Sequence, residues 1–254
     1  MPDSKKILVT GMSGLIGGLA GRRLAERYEV RALNRRPVEG FETVEADITD
    51  MDAIRPAFEG VDTVVHMAAY LGDDDGMQME VNVNGTYNVF EAAREAGVRR
   101  VVFGSSGATM QAYENEEPFK ALTEGRPGDI SGPRPLITHL DPVRPYRIYG
   151  VAKVWGETLG RQCSEAYGMS VLCIRLGRVR EDDRPANARE AAVYLSHRDA
   201  AQIIERCVDA PDHVKFDIFY GVSDNFTRFR DIAHAAEVLG YVPQDGIKHW
   251  PLPG

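Results

Sequence analysis

A glycine-rich turn between a short apolar run and a helical pattern limits the possible folds of this chain more than any other feature. Residues Ile7 to Thr10 lead directly into Gly11-Met12-Ser13-Gly14-Leu15-Ile16-Gly17. Glycines at this spacing permit a tight turn and let backbone N–H groups and a helix N-terminus approach a pyrophosphate. A turn without any ligand is the alternative, but the strand–turn–helix context favours phosphate binding. The predicted dinucleotide contacts are Gly11, Ser13, Gly14, Leu15, Ile16 and Gly17.

The rest of the chain repeats this alternation of short apolar runs and helical periods. It predicts a doubly wound parallel sheet buried on both faces by helices, in an α/β fold. We expect one domain over residues 1–254 with a small C-terminal substrate-binding elaboration. Further strands are predicted at 30–33, 63–66, 101–103, 171–174 and 216–219, and helices at 15–27, 81–96, 149–167, 199–208 and 228–239.

One long segment interrupts the alternation. Residues 114–146 contain six prolines and no sustained period. Connections of more than about 15 residues are usually functional in a compact domain, so we interpret the segment as a lid, with a passive insertion as the alternative. The substrate side is expected to comprise approximately residues 107–148, 176–197 and 221–254.

Composition excludes several classes of partner. A net charge of −8 argues against nucleic acid, which requires a basic surface. Three cysteines cannot all pair and lack metal-ligand spacing, so neither a disulfide framework nor a metal site is expected. The apolar runs are shorter than the roughly 20 residues that span a bilayer. We expect a cytoplasmic protein with a small-molecule substrate.

Tyr149 and Lys153 form the candidate proton-transfer pair. At a separation of four residues, their side chains lie on one face of the predicted helix. A phenolate near neutral pH requires the tyrosine pKa to fall by about 3, which is worth roughly 4 kcal/mol. A nearby ammonium and a cationic ring of a bound dinucleotide can supply that order of magnitude. Without the phosphate loop, a surface pair would be the simpler interpretation.

The phosphate loop together with Tyr149-Gly-Val-Ala-Lys153 resembles the extended short-chain dehydrogenase/reductase family, also called the NAD-dependent epimerase/dehydratase family. The resemblance covers nearly the whole chain and implies a Rossmann-type sheet. It implies that Tyr149 is the general base or acid and that Lys153 also holds the nicotinamide ribose. A hydroxyl completes the site, and Ser106 or Thr109 must supply it because Gly107 stands where that hydroxyl often lies. The further cofactor contacts that it implies are Asp47, Ile48, Met67, Ala68, Ala69 and Asn82.

The end of the second strand bears on the choice of cofactor. It reads Asn34-Arg35-Arg36, where NAD-preferring relatives place an acidic residue. A neutral amide and two guanidinium groups can accept a 2′-phosphate, which a carboxylate would repel. We therefore predict NADP as the favoured cofactor, with NAD possible.

Within the family, the chain most resembles uronate dehydrogenases. This implies an NAD(P)-dependent oxidoreductase acting on a small, anionic, sugar-like alcohol or carbonyl, such as a hexuronate or a sugar phosphate. Arg189 or Arg178 would hold the anion, unless either forms only a surface salt bridge, and Ser106, Gly107 and Ala108 would contact substrate. Gly107-Ala108 replaces the Asn-His of those enzymes. A nucleotide-sugar epimerase with retained cofactor is the alternative, and the resemblance makes a homodimer plausible.

Overall fold

A seven-stranded sheet forms the centre of the protein, in a computed structural model that describes residues 5–250. Every neighbouring pair of strands is parallel, in the order β3-β2-β1-β4-β5-β6-β7. The order reverses between β1 and β4, and this is where doubly wound sheets bind ligands. The strands are β1 Lys6–Thr10, β2 Glu29–Asn34, β3 Glu42–Glu45, β4 Thr63–His66, β5 Arg100–Ser106, β6 Ser170–Leu176 and β7 Phe216–Gly221.

Helices cover both faces of the sheet. On one face, α1 and α8 pack together over an apolar cluster that includes Val9, Leu24 and Ile203. On the other, α4 and α6 cover a cluster that includes Leu8 and Phe90. The helices are α1 Leu15–Ala25, α2 Met51–Ile54, α3 Asp75–Met77, α4 Thr86–Glu95, α5 Phe119–Thr123, α6 Ile148–Tyr167, α7 Ala188–Ala192, α8 His197–Val208 and α9 Ala233–Leu239, with a π-helical segment Gln78–Gly85 before α4.

Small residues let α6 lie directly on the sheet. A Cβ on Gly156 would come within 2.4 Å of the Phe103 ring, and one on Gly160 within 2.7 Å of Val171. The helix ends at Gly168, whose φ of +70° is a conformation that glycine adopts without strain. This close packing fixes the start of α6 beside the carboxyl end of β5.

The predicted doubly wound α/β fold is confirmed, and two details differ. The helix predicted at 228–239 was wrong in its first half, because Arg230 forms an isolated bridge with Ile137 and α9 begins only at Ala233. The proline-rich segment is not structureless, since it contains α5. Leu122 and Ile137 pack there with Phe229 in a third apolar cluster. Among residues 5–250, no helix is long and apolar enough to cross a membrane.

Candidate active site

A cleft of about 1970 Å³ follows the carboxyl ends of the strands. The glycine-rich loop lines one end, and the start of α6 lines the middle with the end of β5. Residues 176–182 and two arginines, Arg189 and Arg230, line the other end. Such a crevice at the switch point is the expected ligand site of this fold.

The glycine-rich loop is shaped for close approach of a ligand. Gly11 has a φ of +67°, and a Cβ there would lie 2.7 Å from the backbone of Ala68. A Cβ on Gly17 would lie 2.4 Å from the carbonyl oxygen of Gly11. Gly14 precedes α1 without a side-chain cap, so the first N–H groups of the helix remain available to an anion. All six predicted loop residues line the cleft, and their geometry fits a dinucleotide pyrophosphate.

Asn34 links the end of β2 to this loop. Its Oδ1 accepts a hydrogen bond from the Ser13 hydroxyl at 3.1 Å, and its Nδ2 donates to the Arg36 carbonyl at 2.8 Å. Both Arg35 and Arg36 are exposed and line the cleft. Only a distant contact of 4.0 Å joins Arg35 to Asp47. The end of β2 therefore offers a neutral amide and two solvent-facing guanidinium groups.

Most of the remaining cofactor residues predicted by resemblance also line the cleft, with one exception. Asp47, Ile48, Met67, Ala68 and Ala69 all face it. Asn82 does not line it, because its buried amide both accepts from the Tyr70 N–H and donates to the Tyr70 carbonyl, each at 2.8 Å. The structure thus gives Asn82 a supporting position behind the Tyr70 loop and not the direct contact that was expected.

His66 anchors the centre of the cleft from beneath. Its Nδ1 lies 2.7 Å from the Thr10 hydroxyl, which also accepts from the Ala68 N–H at 3.1 Å. Complete burial lowers the pKa of His66 to about 3, so its imidazole is neutral at physiological pH. This neutral bridge holds the end of β4 next to the glycine-rich loop.

Tyr149 and Lys153 lie together in the cleft, but the ammonium is not directed at the phenol. Lys153 Nζ donates to the Gly104 carbonyl at 2.8 Å and lies 5.7 Å from the Tyr149 ring centroid. Burial lowers the pKa of Lys153 to about 8 and raises the pKa of Tyr149 above its usual value. The expected lowering of the Tyr149 pKa by Lys153 is therefore not produced by the protein alone, because burial raises this pKa and only the Ser106 hydroxyl opposes the rise.

The hydroxyls of Ser106 and Thr109 have different surroundings in the structure. A hydrogen bond with the Ser106 hydroxyl acts to lower the Tyr149 pKa, and Ser106 lines the cleft. Thr109 is fully buried and does not line it, and its hydroxyl donates to the Ser106 carbonyl at 2.9 Å. The 3₁₀ helix Gly107–Asn115 begins directly after Ser106 and turns Thr109 inward. Of the two predicted hydroxyls, the structure therefore brings only that of Ser106 to the cleft.

A buried ion pair fixes β5, β6 and α6 beneath these residues. Arg175 donates to both carboxylate oxygens of Glu157, at 2.9 and 2.8 Å, and the Ser105 hydroxyl donates to the same carboxylate at 2.6 Å. Such fully bonded pairs are geometrically restrictive. The network holds the end of β5, and with it Ser106, in register with α6.

The substrate end contains the two predicted arginines, and both are already paired. Arg178 lies 3.3 Å from Glu190, and Arg189 Nε donates to Glu114 Oε2 at 2.5 Å. Gly107 and Ala108 line the cleft as expected. Sequence reasoning missed Glu114 and Arg230, which also meet here at 3.1 Å. The helix predicted at 228–239 concealed Arg230, because the helix begins only at Ala233.

His139, His197 and His234 lie outside the cleft lining. His197 Nε2 lies 2.7 Å from the Arg180 carbonyl, which favours a structural position. His139 and His234 form a group with Asp217 that is close enough to hold a metal ion. However, their rings stack at 3.8 Å, and His234 already bonds Asp217 at 2.8 Å. Because an ion between stacked rings would lie outside both ring planes, the group fits a hydrogen-bonded pair better.

Comparison with known proteins identifies the family of this chain. The NAD dependent epimerase/dehydratase family matches residues 7–180. The chain belongs to this family. It is 33% identical to an NAD-dependent glucose-6-phosphate dehydrogenase of Haloferax volcanii over 98% of this chain and 96% of that protein. It is 35% identical to an L-arabinose 1-dehydrogenase (NAD(P)(+)) of the same organism, over 94% and 96%.

A solved relative matches the fold as well. It is a tyrosine-to-alanine mutant of the uronate dehydrogenase from Agrobacterium tumefaciens, complexed with NAD. The TM-score is 0.79 at 28% identity, covering 95% of this chain and 85% of that one. The resemblance to uronate dehydrogenases inferred from the sequence is thus confirmed.

Proposed function

We propose that this protein is an NAD(P)-dependent dehydrogenase that moves hydride between the cofactor and a small, anionic, sugar-like alcohol or carbonyl. The observation that carries the proposal is the joint placement of Ser106, Tyr149 and Lys153 in one cleft with the glycine-rich loop. The named activities of the similar proteins, which are sugar dehydrogenases, support it. They also favour a dehydrogenase over the nucleotide-sugar epimerase.

The chemistry divides between the residues as follows. A bound oxidised nicotinamide would accept the hydride that leaves the substrate carbon, and its positive charge would favour the phenolate. Tyr149 takes the proton from the substrate hydroxyl as the carbonyl forms, and the Ser106 hydroxyl holds the substrate oxygen. Lys153, anchored on the Gly104 carbonyl, would hold the nicotinamide ribose. Proton and hydride thus leave the substrate by separate routes.

We propose that NADP is favoured over NAD. The neutral Asn34 and the exposed Arg35 and Arg36 support this proposal, because guanidinium groups bind a 2′-phosphate well. The test is kcat/KM for each cofactor in the wild type and in Asn34→Asp. We expect the wild type to have a higher kcat/KM with NADP than with NAD. In the variant, kcat/KM with NADP should fall at least tenfold, while kcat/KM with NAD is retained. A wild-type preference for NAD would overturn the assignment.

Several further assignments are part of the same proposal. The chain acts as one domain whose substrate contacts come from approximately residues 107–148, 176–197 and 221–254. It works in the cytoplasm and forms a homodimer in which α6 lies at the interface. Light scattering tests the dimer, and a monomeric mass at micromolar concentration would contradict it. The cofactor contacts on this proposal are the loop residues, Asn34, Arg35, Arg36, Asp47, Ile48, Met67, Ala68 and Ala69.

The decisive test of the activity is a panel of hexuronates, aldoses and sugar phosphates assayed with both cofactors. Ser106→Ala should lower kcat by at least a hundredfold, because a group at the reacting oxygen is lost. Thr109→Ala should retain most activity, allowing for its structural hydrogen bond. Tightly retained nicotinamide after purification, without net turnover of any sugar, would favour the epimerase instead.

A further inference from the structure

Arg230 is an unusual buried cation at the substrate end of the cleft. Its side chain is 2% exposed, and its guanidinium lies 5.5 Å from the Tyr220 ring centroid and 5.2 Å from that of Phe229. One nitrogen, Nη2, donates to Glu114 at 3.1 Å. The residue nevertheless lines the cleft. A charged group in such surroundings is costly unless its donors and its charge are matched.

The donors of Arg230 are incompletely matched. Its Nε and Nη1 are buried and find no acceptor among residues 5–250. Buried donors of this kind are rare, and each calls for a specific explanation. By contrast, the neighbouring Arg175 uses its Nε, Nη1 and Nη2 in hydrogen bonds with Glu157, Met110 and Tyr220. Burial therefore does not by itself account for the unsatisfied nitrogens of Arg230.

The charge at this position is also incompletely matched. Glu114 accepts from Arg230 on one carboxylate oxygen and from Arg189 on the other. One carboxylate thus serves two guanidinium groups, which leaves the three side chains with one excess positive charge. Arg189 is 44% exposed and can be solvated, whereas Arg230 cannot. The excess charge is therefore least compensated at Arg230.

Gly107 gives Arg230 its position. A Cβ on Gly107 would lie 2.9 Å from Cζ of Arg230 and 3.2 Å from its Nη1. Any side chain at 107 would displace the guanidinium from the end of β5. Because Gly107 directly follows Ser106, the guanidinium lies next to the reacting end of the cleft. The absence of a side chain at Gly107 therefore leaves the room that the Arg230 guanidinium occupies.

We propose that Arg230, admitted by Gly107, binds the anionic group of a monosaccharide substrate and makes this enzyme prefer acidic over neutral sugars. A carboxylate or a phosphate would supply oxygen acceptors to Nε and Nη1 and neutralise the excess charge. Arg189, already bonded to Glu114 through Nε, has the lesser part. This inference rests on the proposed dehydrogenase function for its turnover readout, but its binding readout is independent of turnover.

The experiment compares the wild type with Arg230→Gln, using D-glucuronate, D-glucose 6-phosphate and D-glucose. We expect Arg230→Gln to weaken binding of the preferred anionic sugar, because a charge-assisted hydrogen bond is lost. Its KM and its calorimetric Kd should rise on the order of ten- to a hundredfold. The values for glucose should change less than threefold. Which of the two anions loses affinity identifies the bound group as carboxylate or phosphate.

Three further variants serve as comparisons and as a control. Gly107→Ala keeps the positive charge but displaces it, and should reproduce the loss for the anionic sugar. Arg230→Lys keeps the charge without the planar donors and should recover only part of the affinity. Arg198→Gln removes an exposed arginine that pairs with Asp245 away from the cleft and should have no effect.

Three results have different consequences for the anion site and for the proposed activity. If folded Arg230→Gln, with unchanged cofactor Kd, keeps the full preference for the anionic sugar, the inference is overturned. If the wild type turns over no sugar but binds the anionic sugar through Arg230 in calorimetry, the proposed dehydrogenase function fails while the anion site stands. Equal wild-type affinity for the acidic and neutral sugars also contradicts the inference.

Discussion

Replacing Lys153 by methionine should stabilise the protein while it removes activity. The ammonium is buried, and its pKa is lowered from 10.5 to about 8. This difference corresponds to about 3 kcal/mol of destabilisation at neutral pH, since the folded protein must hold a charge that the unfolded chain exposes to water. Losing the hydrogen bond to Gly104 offsets about 1 kcal/mol of that gain. We therefore expect Lys153→Met to raise the free energy of unfolding by about 2 kcal/mol at pH 7.

The stabilisation by Lys153→Met should depend on pH. Because the folded pKa lies below the unfolded value, the unfolded chain binds more protons between pH 8 and 10.5. Wild-type stability should therefore gain a contribution as pH rises through that window. The advantage of Lys153→Met should accordingly be largest at or below pH 7 and should shrink above pH 8.

Urea unfolding of the wild type and Lys153→Met between pH 6 and 9.5 measures both effects. Lys120→Met is the matched control, because Lys120 is about half exposed and forms only a 3.9 Å contact with Glu124. Its free energy of unfolding should stay within 0.5 kcal/mol of the wild type. If Lys153→Met is less stable than the wild type at pH 7, or if its advantage does not depend on pH, the reasoning about buried charge is refuted.

Three further outcomes test the phosphate loop, the central histidine and the buried ion pair. Gly17→Ala should weaken cofactor binding at least a hundredfold in calorimetry, because its Cβ would meet a carbonyl at 2.4 Å, whereas Gly128→Ala, with open space around it, should bind normally. Since the His66 pKa is lowered to about 3, the unfolded chain takes up the proton at a higher pH than the folded protein does. The free energy of unfolding of the wild type should therefore fall by up to about 5 kcal/mol from pH 6.5 to 3. A shallower dependence of this free energy on pH in His66→Gln supports the reasoning, and the same dependence in both proteins contradicts it. Glu157→Ala should cost 3–5 kcal/mol in urea unfolding by leaving Arg175 buried without its partner, and a loss below 1 kcal/mol would show that the pair does little.

The sheet could be predicted from the sequence because strands buried on both faces are short apolar runs. Val171 to Ile174 is an example, since each residue there is fully buried. The third strand, Glu42–Glu45, has no apolar run from which to predict it, because it lies at the sheet edge with both of its glutamates exposed. Edge strands lack the signal that burial gives to central ones.

The glycine-rich loop was predictable because its residues adjoin one another along the chain. Gly11 to Gly17 form a local turn, and the spacing of the glycines alone indicates that it can approach a phosphate. The substrate end depends on contacts between distant segments, such as Glu114 with Arg230. The choice between Ser106 and Thr109 depended on the direction of one 3₁₀ turn. Spacing does not encode such tertiary choices.

The most direct test of the proposed hydride transfer uses an acidic sugar deuterated at C1, the position given in the name of the L-arabinose 1-dehydrogenase relative. The wild type, mixed with oxidised cofactor, should transfer deuterium to C4 of the nicotinamide, as mass spectrometry of the reduced cofactor will show. Tyr149→Phe, which removes the phenolic proton acceptor, should bind cofactor normally and lose at least a thousandfold in kcat. Absence of deuterium from the cofactor, or near-normal turnover by Tyr149→Phe, would contradict the account.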